Sequence, residues 1–305
     1  MQFVWATRFG KFRVLVISGL TLEWNALPGD RVLIIDRLPA TVLVCVAILV
    51  CVTGCAGFGG RVELPTEKQF DREQLKVYSD IKLPNNHRLL QDLSARRRDI
   101  ANILLLPMSD EPINVFLFKD EKRYQRYLKQ NHPQFPERRA FFVKNDTELK
   151  VFAHWGEFVA EDLRHEVTHG YLHATVPNIS LWLDEGLAEY FEVPRGDRGF
   201  HRQHIYFLTQ HARANEWNPS LRRLESLEDP TRMTQLDYAE SWLWVHYLLE
   251  TKPEYRKLLQ DQLARDRMTG KPQPLSHYLH ELVGDEQDEV IGHLVELSHT
   301  MKKEQ

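Results

Sequence analysis

The sequence predicts an α+β fold: a small mixed α/β unit with an edge strand, then a helix pair and a helical C-terminal lobe. Two observations lead to this prediction. Short apolar runs rich in β-branched and aromatic residues are confined to residues 75–157, whereas residues 158–300 carry apolar positions at helical spacing. The three cysteines of the chain all precede residue 56, so we expect neither a disulfide framework nor a cysteine-rich metal site in the folded part.

The α/β part is expected to contain both strands and helices. The runs LKVYS (75–79) and INVFLF (113–118) are typical of strands, and residues 87–106 between them have a helical face rich in leucine and isoleucine. A short charged helix should follow over 121–130. Two further runs, AFFV and ELKVFA, flank the polar segment 144–147 as the strands of a hairpin would.

The second half of the chain is expected to form the helical lobe. Its candidate helices share amphipathic or strongly apolar spacing and occupy residues 161–174, 181–191, 201–214, 236–250, 255–265 and 290–298. We expect Trp182, Trp242 and Trp244 to lie in its core, because large aromatic side chains dominate the packing of protein interiors.

Residues 1–54 have the pattern of a targeting segment. The uncharged run LPATVLVCVAILVCV (38–52) follows two arginines, Arg31 and Arg37, and precedes small residues. A positive flank, a short apolar stretch and a small-residue exit are typical of a secretory signal, and the run is short for a membrane span. Thirty-seven residues precede it, more than a bacterial signal needs, so a translation start near Val32 or Leu33 is a further hypothesis.

The residues Val-Thr-Gly-Cys that end at Cys55 resemble a bacterial lipobox. This resemblance implies cleavage before Cys55 and a lipid on its thiol, with residues 55–74 as a tether and residues 75–300 as the folded domain. The protein would then be anchored in the bacterial cell envelope, facing the periplasm or the exterior. The alternative is an uncleaved signal anchor.

Residues 165–169 read HEVTH within a helical pattern. Four residues advance a helix by just over one turn, so His165 and His169 share a face and can bind one zinc ion, with Glu166 beside them where it can hold a water. His173 continues this row. It lies two turns, roughly 12 Å of rise, from His165, too far for both to bind one ion on a straight helix, so we expect it to be at the surface or in a supporting position.

A second helical pattern, WLDEGLAEYFE at 182–192, supplies the candidate third ligand. A catalytic zinc ion with two neutral ligands takes an anionic third and keeps one position for water. Asp184 and Glu185 are both candidates, but neighbouring helix positions point about 100° apart, so only one can face the metal. Glu185 is favoured because Glu189, one turn later, shares its face.

HEVTH followed by WLDEGLAEYFE resembles the gluzincin metallopeptidases, specifically the bacterial peptidase-MA-like group. The resemblance implies zinc bound by His165, His169 and Glu185, with Glu166 as the general base. It also implies that Glu189 accepts a hydrogen bond from the far nitrogen of a ligand imidazole. The sheet should end in an edge strand at 149–153 that pairs with extended substrate. The fifteen residues between His169 and Glu185 predict a tight connection between the two helices.

Tyr238, in the segment YAESW, matches a position from which this family donates a hydrogen bond to the developing oxyanion. The alternative is that Tyr238 is an aromatic side chain packed at a helix start. The predicted activity is therefore a zinc-dependent peptidase that acts on a peptide or protein substrate and contacts the membrane through its lipid anchor.

Two other functions stay open. One is a catalytically silent, lipid-anchored binding or assembly protein that keeps a relic zinc site; the presence of Glu166 argues against it, because a purely structural site has no chemical need for this residue. The other is a zinc hydrolase that acts on something other than peptides. A formal net charge of −4 and a pI of about 6.4 disfavour a nucleic-acid partner.

Overall fold

The computed structural model describes residues 3–6, 60–135 and 137–303. The described residues from Val62 onward, together with residues 3–6, belong to one compact unit, and residues 7–59 lie outside the described part of the chain. The targeting run and Cys55 fall among residues 7–59, so their roles stay predictions. Among the described residues, no helix combines the length and the apolar character that crossing a bilayer requires.

The described residues form a mixed sheet of six strands, in the order β1-β5-β6-β4-β3-β2. The strands β3, β4 and β6 are parallel to one another, and the other neighbours pair antiparallel. Their bounds are β1 (Phe3–Ala6), β2 (Lys68–Arg72), β3 (Leu75–Ser79), β4 (Ile113–Phe118), β5 (Ala140–Lys144) and β6 (Leu149–His154).

Helices make up most of the rest of the described chain. They are α1 (Arg88–Leu104), α2 (Glu121–Asn131), α3 (Val159–His173), α4 (Leu181–Glu192), α5 (Arg202–Arg213), α6 (Leu221–Glu225), a 3-10 turn (Pro230–Arg232), α7 (Gln235–Glu250), α8 (Pro253–Thr269), α9 (Ser276–Val283) and α10 (Glu286–Lys303). This arrangement confirms the predicted α+β fold class. The short helices α6 and α9 were not expected, because neither is long enough to show a clear helical period.

Two expectations about the α/β part need correction. The segment 149–153 is not an edge strand: β6 lies between β4, with which it runs parallel, and β5, its hairpin partner. On its other side, β5 pairs with β1, which is the edge strand at this end of the sheet. The predicted tether also contains folded structure, because Val62 is buried and β2 pairs with β3.

Close packing holds the two central helices of the fold. A side-chain carbon at Gly170 of α3 would lie 2.9 Å from the Ile113 side chain of β4, and one at Gly186 of α4 would lie 2.5 Å from the backbone oxygen of Ser241 in α7. Real contacts of that length essentially never occur, so only glycine permits these approaches. The expected core residues Trp182, Trp242 and Trp244 are fully buried around α4 and α7, which confirms that prediction.

Candidate metal centre

Helices α3 and α4 bring the three predicted metal ligands together. His165 and His169 lie one turn apart on α3, and the short connection 174–180 returns the chain so that Glu185 of α4 faces them. Glu185 Oε2 lies 3.4 Å from His165 Nε2 and 3.7 Å from His169 Nε2. All three side chains are fully buried, and one ligand atom from each lies within 4.8 Å of the others.

These distances suit a shared metal ion better than hydrogen bonds. A charge-assisted N–H···O bond is about 2.7–2.9 Å long. Two ligand atoms of one tetrahedral zinc ion, each bonded at about 2.0–2.1 Å, lie about 3.3 Å apart. Neither Glu185 oxygen nor His165 Nε2 has a hydrogen-bond partner in the described part of the chain, a state that is rare for buried polar atoms. The residues present could therefore hold a metal ion.

Asp184 lies on the opposite side of the His169 ring from Glu185. Its Oδ2 atom is 3.1 Å from His169 Nδ1 and 2.8 Å from His173 Nε2. Burial by itself would raise the pKa of Asp184, but the neighbouring His169 and His173 outweigh it and hold this pKa below its ordinary value. Asp184 thus orients His169, while Glu185 faces the Nε2 atoms of the two predicted ligand histidines. His173 contacts the same Asp184 oxygen and so helps to fix its position.

The far nitrogen of His165 is held by Glu192, the last residue of α4. His165 Nδ1 lies 2.9 Å from Glu192 Oε2. This kind of role was expected for Glu189, but the structure places Glu189 Oε2 at 2.7 Å from His204 Nε2 of α5. Glu189 and Glu192 are three residues apart and lie on the same face of α4, so the position of α5 decides which of them is left to contact His165.

Two arginines fix the end of α4 and so the position of Glu192. Arg164 Nε donates to the backbone oxygen of Glu192, and a guanidinium nitrogen of Arg96 donates to the backbone oxygen of Val193 at 2.9 Å. The last carbonyls of a helix have no partner within the helix, so these arginines satisfy groups that would otherwise be buried without one. The ligand-bearing α3 and the carboxylate-bearing end of α4 are thereby tied together.

Glu166 is fully buried beside the ligand pair on α3. Its charge acts on neighbours on the same side of the helix. Burial raises the pKa of Asp162 to about 7; the cation of Arg139 opposes this, and the charges of Glu161 and Glu166 add to it. Glu166 thus lies next to the ligands, as predicted from the motif, in a part of the molecule where carboxylates are crowded.

Tyr238 is distant in sequence from the predicted ligands, but it lies within the electrostatic influence of Glu185. Thr234 caps α7 with Asp237, whose Oδ2 accepts the Thr234 N–H at 2.7 Å, and Tyr238 follows in the first turn. The side chain is buried. Burial, followed by the charge of Glu185, raises the pKa of Tyr238 far above its ordinary range. Its hydroxyl therefore keeps its proton at neutral pH.

The centre as a whole has an excess of buried negative charge. The buried carboxylates around it are Glu166, Asp184, Glu185, Glu189 and Glu192. Burial alone would lower the pKa of His165, but the carboxylates of Glu185 and Glu192 beside the ring outweigh burial and raise this pKa. The surroundings therefore favour a cation at this point. A bound metal ion supplies such a charge, and buried charges need compensation of this kind.

Comparison with protein-family models and with curated protein sequences finds no match for this chain.

Several residues of the centre were not foreseen from the sequence. Glu192 ends the second motif, and Asp184 was considered only as a competing ligand. No motif in the sequence points to His201 and His204, and both are buried against the carboxylates of α4. Their spacing of three residues at the start of a helix was the one available signal, and that spacing is common in helices without any site.

Proposed function

We propose that the protein is a zinc-dependent peptidase of the gluzincin type, anchored at a bacterial membrane through Cys55. One observation carries the proposal: two imidazoles and one carboxylate converge at ligand spacing, and the far nitrogen of each imidazole faces its own carboxylate. Such carboxylate–histidine pairs fix the orientation and tautomer of metal-binding imidazoles. Three protein ligands are the number that catalytic zinc sites use when they keep a position for water.

A bound zinc ion would lower the pKa of a water molecule and polarise the carbonyl of the substrate. Glu166 acts on the proton: its carboxylate accepts it from the attacking water and later donates it to the leaving amine. Glu166 is suited to this role because it lies next to His165 in α3 but is not one of the predicted ligands, so its carboxylate is not committed to the metal. Tyr238 donates a hydrogen bond from its protonated hydroxyl to the oxygen on which negative charge develops.

We infer that β5, not the segment 149–153, is the strand that pairs with an extended peptide. Phe142 of β5 stacks on the rings of His169 and His173, with centroids 5.9 and 5.4 Å away, so this strand runs directly beside the centre. The side of β5 that faces away from β6 pairs antiparallel with Phe3–Ala6. Cleavage before Cys55 would remove that segment and leave the β5 backbone free to bind another chain.

The competing function is a silent binding protein with a relic metal site. Both functions predict metal binding, so turnover must separate them. The processed, membrane-anchored protein, purified from membranes, is incubated with a peptide library with and without a zinc chelator, and new termini are identified by mass spectrometry. We expect cleavage that the chelator abolishes and added zinc restores. Capture of intact peptides without any cleavage would favour the binding protein.

The anchor has a separate test, because it depends on Cys55 and not on the metal centre. In cells fed a fatty-acid probe, the wild-type chain should be labelled and shortened, and Cys55→Ala should remain a full-length precursor without label. Cys45→Ala and Cys51→Ala are the matched controls, since both lie in the segment that would be removed. Undiminished labelling of the Cys55→Ala chain would contradict the anchor.

A further inference from the structure

Behind His165 lies a group of four buried side chains, which we call the α4–α5 clamp: Glu189 and Glu192 from α4, and His201 and His204 from the start of α5. His201 Nε2 lies 2.6 Å from Glu192 Oε1, and His204 Nε2 lies 2.7 Å from Glu189 Oε2. The two imidazoles stack with centroids 3.8 Å apart and planes 18° from parallel. The clamp therefore joins two carboxylates of one helix to two imidazoles of the next.

The positions of the protons in the clamp follow from one backbone contact. His201 is the N-cap of α5, and its Nδ1 atom accepts the backbone N–H of His204 at 3.3 Å. A nitrogen that accepts a hydrogen bond carries a lone pair, so the proton of the neutral ring is on Nε2 and is donated to Glu192 Oε1. The cap geometry thus sets the tautomer of His201.

The same reasoning continues through Glu192 to the metal centre. With Oε1 occupied by His201, the other oxygen, Oε2, accepts a hydrogen bond that His165 Nδ1–H donates, with the two atoms 2.9 Å apart. A neutral imidazole protonated at Nδ1 has its lone pair on Nε2. That is the nitrogen that lies 3.4 Å from Glu185 Oε2 at the predicted metal position.

We propose that His201 is a positioning residue for the metal centre: it holds the Glu192 carboxylate in the place from which Glu192 fixes the tautomer and orientation of His165 that metal binding requires. This inference rests on the proposed function, because it assumes that His165 binds a metal. It adds α5 to the elements that build the centre. The loop before α5 is held in turn by Trp242, whose Nε1–H donates to the backbone oxygen of Gly199 at 2.8 Å.

A second metal ion among Glu189, His201 and His204 fits these contacts less well, although their ligand atoms lie close enough to one another. Glu189 Oε2 lies 3.7 Å from His201 Nε2, but it lies only 2.7 Å from His204 Nε2. The shorter contact is a hydrogen-bond length, below the roughly 3.3 Å between two ligands of one tetrahedral ion. Moreover, a neutral His201 bound to a metal through Nε2 would carry its proton on Nδ1, which could then no longer accept the His204 N–H.

Metal affinity of the full chain tests the proposal. Zinc affinity is measured by chelator competition, and the metal geometry by the absorption spectrum of the cobalt-substituted protein. His201→Leu removes the donor to Glu192 and should weaken binding by about tenfold or more, the range seen when such outer partners are lost. His201→Gln places an amide N–H near the same point and should recover most of the affinity. His211→Leu, farther along α5 and ion-paired with Glu216, is the matched control and should bind like wild type.

The outcomes separate the two proposals. Absence of metal from the wild-type chain would overturn the proposed function. If wild type binds metal and His201→Leu binds it with the same affinity, the role of His201 is overturned. The same holds if the metal-free variant melts at a lower temperature but loses no affinity, because His201 would then contribute only to stability. A second metal ion bound per wild-type chain, lost in His204→Leu, would overturn the hydrogen-bonded clamp.

One measurement needs no variant, so it tests the proposed role of His201 even if His201→Leu does not fold. Imidazole nitrogen NMR of the metal-free wild-type protein reports which nitrogen of each ring carries the proton. We expect His201 to carry a proton on Nε2 and none on Nδ1. A proton on His201 Nδ1 would overturn the proposal whatever the metal does.

Discussion

Asp184 Oδ2 lies 3.1 Å from His169 Nδ1, on the opposite side of the imidazole from Glu185, which faces Nε2. Two adjacent acidic residues therefore contact the same ring in different ways. Because successive helix positions point about 100° apart, α4 directs Glu185 to the ligand nitrogens and Asp184 to the back of the ring. The structure thus assigns separate roles to two residues that the sequence could only treat as competitors.

The first prediction follows from this difference. Glu185→Ala removes a predicted ligand and should lower zinc affinity so far that the purified chain holds little metal. Asp184→Ala removes a group that orients His169, so it should weaken affinity by about 10–100-fold and leave about one zinc per chain at saturating metal. Metal analysis and competition titration measure both. If Asp184→Ala strips the metal while Glu185→Ala keeps it, the assignment of the α4 face is wrong by one position.

The second prediction concerns the contact between α4 and α7. Gly186→Ala places a carbon 2.5 Å from the backbone oxygen of Ser241. The backbone of α7 cannot move away as easily as the end of a flexible side chain could, so the clash cannot be relieved locally. We expect the free energy of unfolding to fall by about 1–3 kcal/mol or more, as in overpacked cores. Urea denaturation of the metal-free chain measures it.

Gly292 provides the matched control for this prediction. It lies within α10, and nothing lies within 4 Å of an added side-chain carbon. Gly292→Ala should therefore stabilise the protein by about 0.5–1 kcal/mol through helix propensity. Equal effects of the two substitutions would show that α4 and α7 do not approach as closely as described.

The third prediction concerns stability against pH. His246 Nδ1 lies 2.9 Å from His293 Nε2 in a buried contact between α7 and α10. Burial, with the nearby His293 adding to it, lowers the pKa of His246 to about 3, and burial lowers the pKa of His293 to about 4. Both rings are therefore neutral in the folded protein across the neutral and mildly acidic range.

The sign of the effect follows from proton uptake. A histidine side chain in an unfolded chain has its ordinary pKa of about 6.5. Below that pH the unfolded chain therefore binds protons at these two histidines, whereas the folded chain does not bind them until the pH is much lower. Stability should be full above about pH 6.5 and fall toward pH 4, by up to about 1.4 kcal/mol per pH unit for each ring. In His293→Gln this loss should be shallower. Urea titrations between about pH 4 and 8 that show identical slopes for both chains would contradict the neutral pair.

The local features of the site could be predicted from the sequence because they depend on helix geometry alone. The one-turn spacing of His165 and His169, and the placement of Glu185 on the following helix, need only the helical period and a short connection. The helix and strand boundaries of α3, α4 and the hairpin follow from the same kind of pattern. The α+β class was predicted for this reason.

The features that were missed depend on which elements meet in space. Nothing within the segment 149–153 distinguishes an edge strand from the internal β6, because strand order is set by crossover connections and not by local sequence. Likewise, Glu189 and Glu192 are both buried carboxylates on one face of α4. Only the position of α5 determines that Glu192 contacts His165 and His201, whereas Glu189 contacts His204.

The central claim is that Glu166 transfers protons without holding the metal, and one paired measurement tests it most directly. Zinc content and turnover are determined on the same preparations of wild type and Glu166→Gln, which keeps the size of the side chain but cannot accept a proton. On a peptide that wild type cleaves, we expect Glu166→Gln to retain about one zinc per chain and to lose about 10²–10⁴-fold in turnover. A variant that cleaves this peptide at the wild-type rate with its zinc in place would contradict the proposed mechanism.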